Sequence, residues 1–199
     1  FIGGMRGWID NGAYVPSVDA TDGTLLMTNI NTQQMVRYLS NDFERFALAS
    51  AESFLISKLE CDEHNLIGWP LLKLYYSAFF AAHAVMRSQG VGVIKIENQH
   101  AHKINGFLSI IDPNAPRINP GMYVFGVDLS IRGSPAIRFS QHGRGSGVHE
   151  AFWKSFCDFL NDLSTRALSS GAVDAAAMAS GSCEIRDAIS GNSNQSGAW

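Results

Sequence analysis

Trp69-Pro70-Leu71-Leu72-Lys73-Leu74-Tyr75-Tyr76-Ser77-Ala78-Phe79-Phe80-Ala81-Ala82-His83-Ala84-Val85-Met86-Arg87-Ser88-Gln89 is the stretch on which the fold turns. It carries the punctuation of a single helix. Pro70 suits the first helical turn, where a missing N–H costs nothing. Gly90 suits the position just past the end, and Arg87 favours the negative end of the helix dipole. The residues between are apolar nearly all round, which predicts a helix packed on most of its sides. Their alanines and serine predict a close approach by a neighbouring helix. At about 1.5 Å per residue the stretch spans about 30 Å, the width of a small domain. Residues 69–86 approach the lower length limit for crossing a bilayer. Lys73 and His83 within them oppose insertion, so a core helix of a soluble protein is expected, with no membrane partner.

The helical period continues on both sides. Residues 41–59 place Phe43, Phe46, Ala47, Phe54, Leu55 and Leu59 on one face, with Ser50 filling a step. Asn41 suits the cap, and Asp42 and Glu44 suit the positive end. Residues 32–39 suggest a shorter helix before it, and 100–111 a weak one after. Residues 148–169 carry a strong stripe of Phe152, Phe156, Phe159, Leu160 and Leu163, which Ala167 extends by one turn. The prolines at 113, 116 and 120 make 112–120 a loop. The period then changes to two: Tyr123, Phe125, Val127 and Leu129 alternate with Val124, Gly126, Asp128 and Ser130. A turn at Arg132-Gly133-Ser134-Pro135 and a return strand over 136–140 complete a β-hairpin. Residues 1–30, rich in Gly, Asp, Thr and Asn, read as an irregular arm with one short strand. In the Ala-, Ser- and Gly-rich tail, 173–178 and 183–189 suit short helical pieces. The expected fold class is mainly α: a helical bundle with a β-hairpin inserted around 122–140. An arm over 1–30 would precede a single helical domain over 31–199. The first residue, Phe1, and the last, Trp199, suggest a piece of a longer protein.

A net charge of −3 excludes a broadly basic coat for nucleic acid and leaves room for a local basic patch. Cys61, Cys157 and Cys183 are odd in number and none forms a CxxC pair, so no disulfide framework is expected and a reducing cytoplasm is the natural compartment. Cys61 with His64, and His100 with His102, each offer two metal ligands where a closed zinc site needs four. No metal or other cofactor is expected, and no phosphate-loop, dinucleotide, nucleophile-elbow or zinc-protease motif occurs. His83 reads as a core histidine with one hydrogen bond.

Two groups of residues can carry chemistry. In Arg144-Gly145-Ser146-Gly147-Val148-His149, an arginine and a histidine stand five positions apart at a glycine-rich entry to a helix. Arginine clamps phosphate oxygens, histidine moves protons near neutral pH, and a helix N-terminus attracts anions. The pair therefore suits phosphodiester chemistry; the plainer reading is a linker with a surface arginine. The second group is Arg117, Arg132, Arg138 and Arg144, interleaved with Tyr123, Phe125 and Phe139. These could form a single-strand RNA surface, with arginines on phosphate and rings stacked on bases. Alternatively the rings face the core and the arginines are ordinary solvated charges.

The run 74–86 followed by Gly90 resembles the YYxAFxAAxALL…G helix of HEPN domains, a helical family of prokaryotic toxins, defence systems and RNA processing. The resemblance implies a helical bundle with RNA as partner, and a second copy of the chain or another protein as a further partner. The family's catalytic signature is an arginine, four to six residues, then a histidine, near the start of a late helix. Members that carry it are metal-independent ribonucleases that act as dimers. Arg144 and His149 satisfy that spacing, so the resemblance implies them as the catalytic pair, beside which Arg117, Arg132 and Arg138 of the basic stretch would serve as phosphate contacts. A rival placement is Glu184-Ile185-Arg186-Asp187-Ala188-Ile189-Ser190-Gly191, similar to the family's LRNxIxHG form. There Arg186 and Asp187 match and no histidine follows. That placement implies a catalytically inactive binding or scaffold subunit of a larger defence complex.

Overall fold

The computed structural model describes residues 4–64, 67–128, 135–142 and 147–169. In chain order these form α1 (Met5–Asn11), β1 (Val15–Val18), β2 (Leu25–Thr28), α2 (Thr32–His64), α3 (Gly68–Ser88), β3 (Val91–Ile96), α4 (Asn98–Ile111), β4 (Gly121–Asp128), β5 (Ala136–Gln141) and α5 (Val148–Ser169). The protein is mainly helical, as expected. The chain divides into two compact units, Phe1–Phe152 and Trp153–Trp199.

The hairpin of β4 and β5 forms, with Phe125 opposite Phe139. It is not an isolated insertion. It forms the middle of a five-stranded antiparallel sheet in the order β1-β2-β5-β4-β3. One short strand was expected within 1–30, where the structure has two; that second strand and β3 went unread because β1 and β2 are four residues each, too short to show a period, and β3 has three consecutive buried residues. Residues 4–30 are therefore not an irregular arm. They supply α1 and two strands. Asp19 and Asp22 accept from the N–H groups of Thr21 and Thr24, and Gly23 takes a positive φ, which closes the turn between the strands.

One core joins α1, the start of α2, α4 and the sheet. Met5, Trp8 and Ile9 meet Leu25, Met27, Ile104, Phe125, Ile137 and Phe139 there, all buried. Tyr123, Phe125 and Phe139 belong to this core, so the base-stacking reading of these rings fails. The period-two pattern points one face of each strand inward, and burial of each large ring contributes about 2–3 kcal/mol.

Residues 32–39 and 41–59 merge into α2, a continuous helix of 33 residues. Its cap is Asn31, whose Oδ1 accepts from the Gln34 N–H at 2.9 Å, rather than Asn41. α3 returns antiparallel to α2. Ser50 and Ser77 exchange hydrogen bonds, each hydroxyl donating to the other's carbonyl at 2.9 Å. Ser57 Oγ donates to the Pro70 carbonyl at 2.8 Å. The two contacts lie seven residues apart on each helix, two full turns, so small polar side chains repeat along the seam. The expected close approach is present, but the expected burial is not. Trp69 (67% exposed), Leu71 (59%), Leu74 and Val85 on α3, with Phe54, Leu55 and Leu59 on α2, face outward. Seam positions went to serines because their small volume brings the backbones together, which displaces the larger apolar side chains to the outside. Among the described residues no helix is long and apolar enough to cross a membrane.

In the second unit the described residues are the remainder of α5. There the rings of Trp153 and Phe156, and of Phe156 and Phe159, lie 5.9 and 6.2 Å apart along the expected stripe.

Candidate functional site

The site lies wholly within the first unit and is built around a buried ion pair. Asp42, about three turns into α2, is 3% exposed, and Arg87, in the last turn of α3, is 4% exposed. Arg87 Nε lies 3.5 Å from Asp42 Oδ2. Two glycines make the space. A Cβ on Gly4 would stand 1.7 Å from Asp42 Oδ1, and one on Gly92 would stand 1.0 Å from Arg87 Nη1. Gly4 thus lets the first N–H of α1, that of Met5, donate to Asp42 Oδ2 at 3.0 Å. Gly92 lets the guanidinium cross β3 and donate to the Val91 and Val93 carbonyls at 3.2 and 3.0 Å. The guanidinium carbon also lies 4.6 Å from the Phe125 ring centroid. Burial pushes Arg87 down to about 10 while Asp42 opposes the shift, so the cation persists at neutral pH. Arg45, one turn along from Asp42, donates to its Oδ1 at 2.7 Å and leaves the rest of its fork toward solvent.

Beside this pair stands a column of rings. His83 is stacked between Phe46, at 4.5 Å and 14°, and Phe152, at 3.9 Å and 23°; the Phe79 edge meets it at 4.7 Å. Its Nδ1 is buried and makes no hydrogen bond. Burial first, then Arg87, Arg45 and His149, push His83 down to about 3, and the ring is neutral. His149, in the first turn of α5, is exposed. Its Nδ1 lies 3.0 Å from the Tyr75 hydroxyl, and its ring lies 4.8 Å from Phe79 and 6.0 Å from Tyr76. Tyr75, Tyr76 and Phe79 of α3 are thus residues that hold His149.

Against the ion pair and the ring column opens a cleft of about 340 Å³. Among the described residues Arg6, Arg45, Arg87 and Lys95 supply its cations and Asp42 its only carboxylate, while Phe46, Phe79, Phe152 and Met122 supply apolar walls.

Of the residues singled out from sequence, Arg144, Arg132, Arg186 and Asp187 lie outside the described residues. Arg138 lies on β5, where its Nε donates to Asp128 Oδ2 at 2.8 Å; Arg117 is exposed in the loop between α4 and β4. Sequence reasoning placed Asp42 and Arg87 at helix ends as dipole partners. No local pattern signalled their actual role. Arg6, Arg45 and Lys95, with the two glycines, carried no signal at all. Among the described residues no three His, Cys, Asp or Glu side chains are grouped to hold a metal ion. No family model, curated protein or solved structure matches this chain.

Proposed function

We propose that the chain is a HEPN-like, RNA-associated domain of a prokaryotic defence or toxin–antitoxin system that acts as a metal-independent endoribonuclease. The observation that carries this reading is His149, an exposed imidazole in the first turn of α5, oriented by the hydroxyl of Tyr75. Tyr75 belongs to the very run that resembles the family helix. A histidine so held suits proton transfer near neutral pH. In the reaction the RNA 2′-oxygen attacks the adjacent phosphorus. Its proton passes to a base, the 5′-oxygen leaves with a proton, and a 2′,3′-cyclic phosphate remains. His149 serves as base or acid, and Arg144 holds the phosphate charge. The test is cleavage of single-stranded RNA in EDTA by the protein and by His149→Ala and Tyr75→Phe. The expected loss for His149→Ala is about 100-fold or more, with a smaller loss for Tyr75→Phe. Equal cleavage by all three proteins overturns the assignment.

The exposed apolar side chains along α2 and α3 favour the alternative of a non-catalytic binding subunit in a larger complex. Under that reading RNA survives incubation with every variant, while the protein forms a stable complex through that face.

A further inference from the structure

We infer that the cleft bounded by α2, α3 and β3 is a binding site for a phosphomonoester carried on an apolar or aromatic group. The argument is one of charge and shape and does not rest on the ribonuclease reading, because neither His149 nor Tyr75 lines the cleft. Within it Arg87 and Asp42 neutralise each other as a buried pair. Arg6, Arg45 and Lys95 remain, and Glu97 stands 3.8 Å from Arg6 as a loose partner. Two positive charges are left in surplus, in a protein whose net charge is −3. A phosphomonoester carries about −1.5 to −2 at neutral pH, which matches that surplus, whereas a carboxylate or a phosphodiester brings only one charge.

The geometry of the cations fits the same ligand. Arg45 spends one nitrogen on Asp42, and its side chain is 61% exposed, so further donors of its planar fork remain for oxygen atoms. Lys95 is exposed on β3 and has no ion-pair partner among the described residues. The cations are held apart by firm structure: Arg45 by the buried carboxylate, Lys95 by its pairing with Met122 across β3 and β4, Arg6 by α1. Behind them the walls are ring faces and Met122, which suit an apolar body and exclude water from it. A volume of about 340 Å³ falls at the lower end of small-ligand sites, enough for a phosphate with one ring and too little for several nucleotides.

The test is calorimetric titration of the full chain with phenyl phosphate, phenol and inorganic phosphate, followed by the same titrations on Lys95→Gln, Arg6→Gln and the double variant. Both side chains are exposed and outside the core, and an unchanged urea midpoint confirms that the variants fold. The expected result is that phenyl phosphate binds at least tenfold tighter than either fragment. Each single substitution weakens it several-fold and the pair at least tenfold. Added salt weakens it further. Two RNA tetramers, with and without a 5′-phosphate, tell the sources apart. Tight binding of the phosphorylated tetramer assigns the site to a chain end, and binding of phenyl phosphate alone assigns it to a free small molecule. Phenyl phosphate that binds no tighter than phenol, or equally to the double variant, overturns the inference.

Discussion

Arg87 is a costly side chain to bury, and it is held by groups that each had to be in place. A buried cation is stable only when paired and hydrogen-bonded, and removing one partner typically costs about 3–5 kcal/mol. Gly92→Ala drives a methyl into the guanidinium and is expected to lower stability by about 3 kcal/mol. Gly106→Ala, where a Cβ meets nothing within 4 Å, is the control. Urea midpoints of the two variants check this, and equal midpoints would contradict the crossing of β3 by Arg87. His83 supplies the second prediction at this scale. Its ring titrates near 3 in the folded chain and near 6.5 when unfolded. Between those values the unfolded chain binds the extra proton, so stability from this group is present above pH 6.5 and is lost as pH falls toward 3. The slope is about 1.4 kcal/mol per pH unit. His83→Phe, which keeps a ring between Phe46 and Phe152, is expected to remove that component. Parallel stability–pH curves for the two proteins from pH 7 to 4.5 would refute it.

At the scale of elements, the α2–α3 pair is held by small polar residues rather than by the large apolar ones. Ser50 and Ser77 each satisfy a hydroxyl on the opposite backbone, at roughly 1 kcal/mol net per bond. Ser77→Leu is therefore expected to cost about 2–3 kcal/mol by forcing the helices apart, and Leu71→Ser on the exposed face less than about 0.5 kcal/mol. Thermal unfolding of both variants decides between a serine seam and an apolar one. The helices themselves were largely legible. Gly90 takes a positive φ, and a Cβ there would press on Val127, so the stop read from its sequence is real. The stripe over 148–169 forms a helix with those bounds. Of the strands at 15–18, 25–28 and 91–96 no more than one short strand without bounds was legible, because short strands have no period to read and are stabilised by neighbours far along the chain.

At the scale of the whole molecule, the apolar side chains displaced from the α2–α3 seam remain exposed. Such a patch favours association. Light scattering at rising concentration is expected to show a mass above that of one chain, and Leu55→Lys with Leu59→Lys to return it toward one chain. A constant single-chain mass at about 100 μM would argue against any role for this face in self-association. The sequence by itself determined the helical class, the ends of α3, the α5 stripe and the β4–β5 hairpin, since period and punctuation are local. Only the tertiary structure decided that Asp42 and Arg87 form a buried pair, that Gly4 and Gly92 make room for it, and that Arg6, Arg45 and Lys95 converge. Those residues come from α1, α2, α3 and β3, and no local pattern records which charges a sheet and two antiparallel helices will bring within 4 Å.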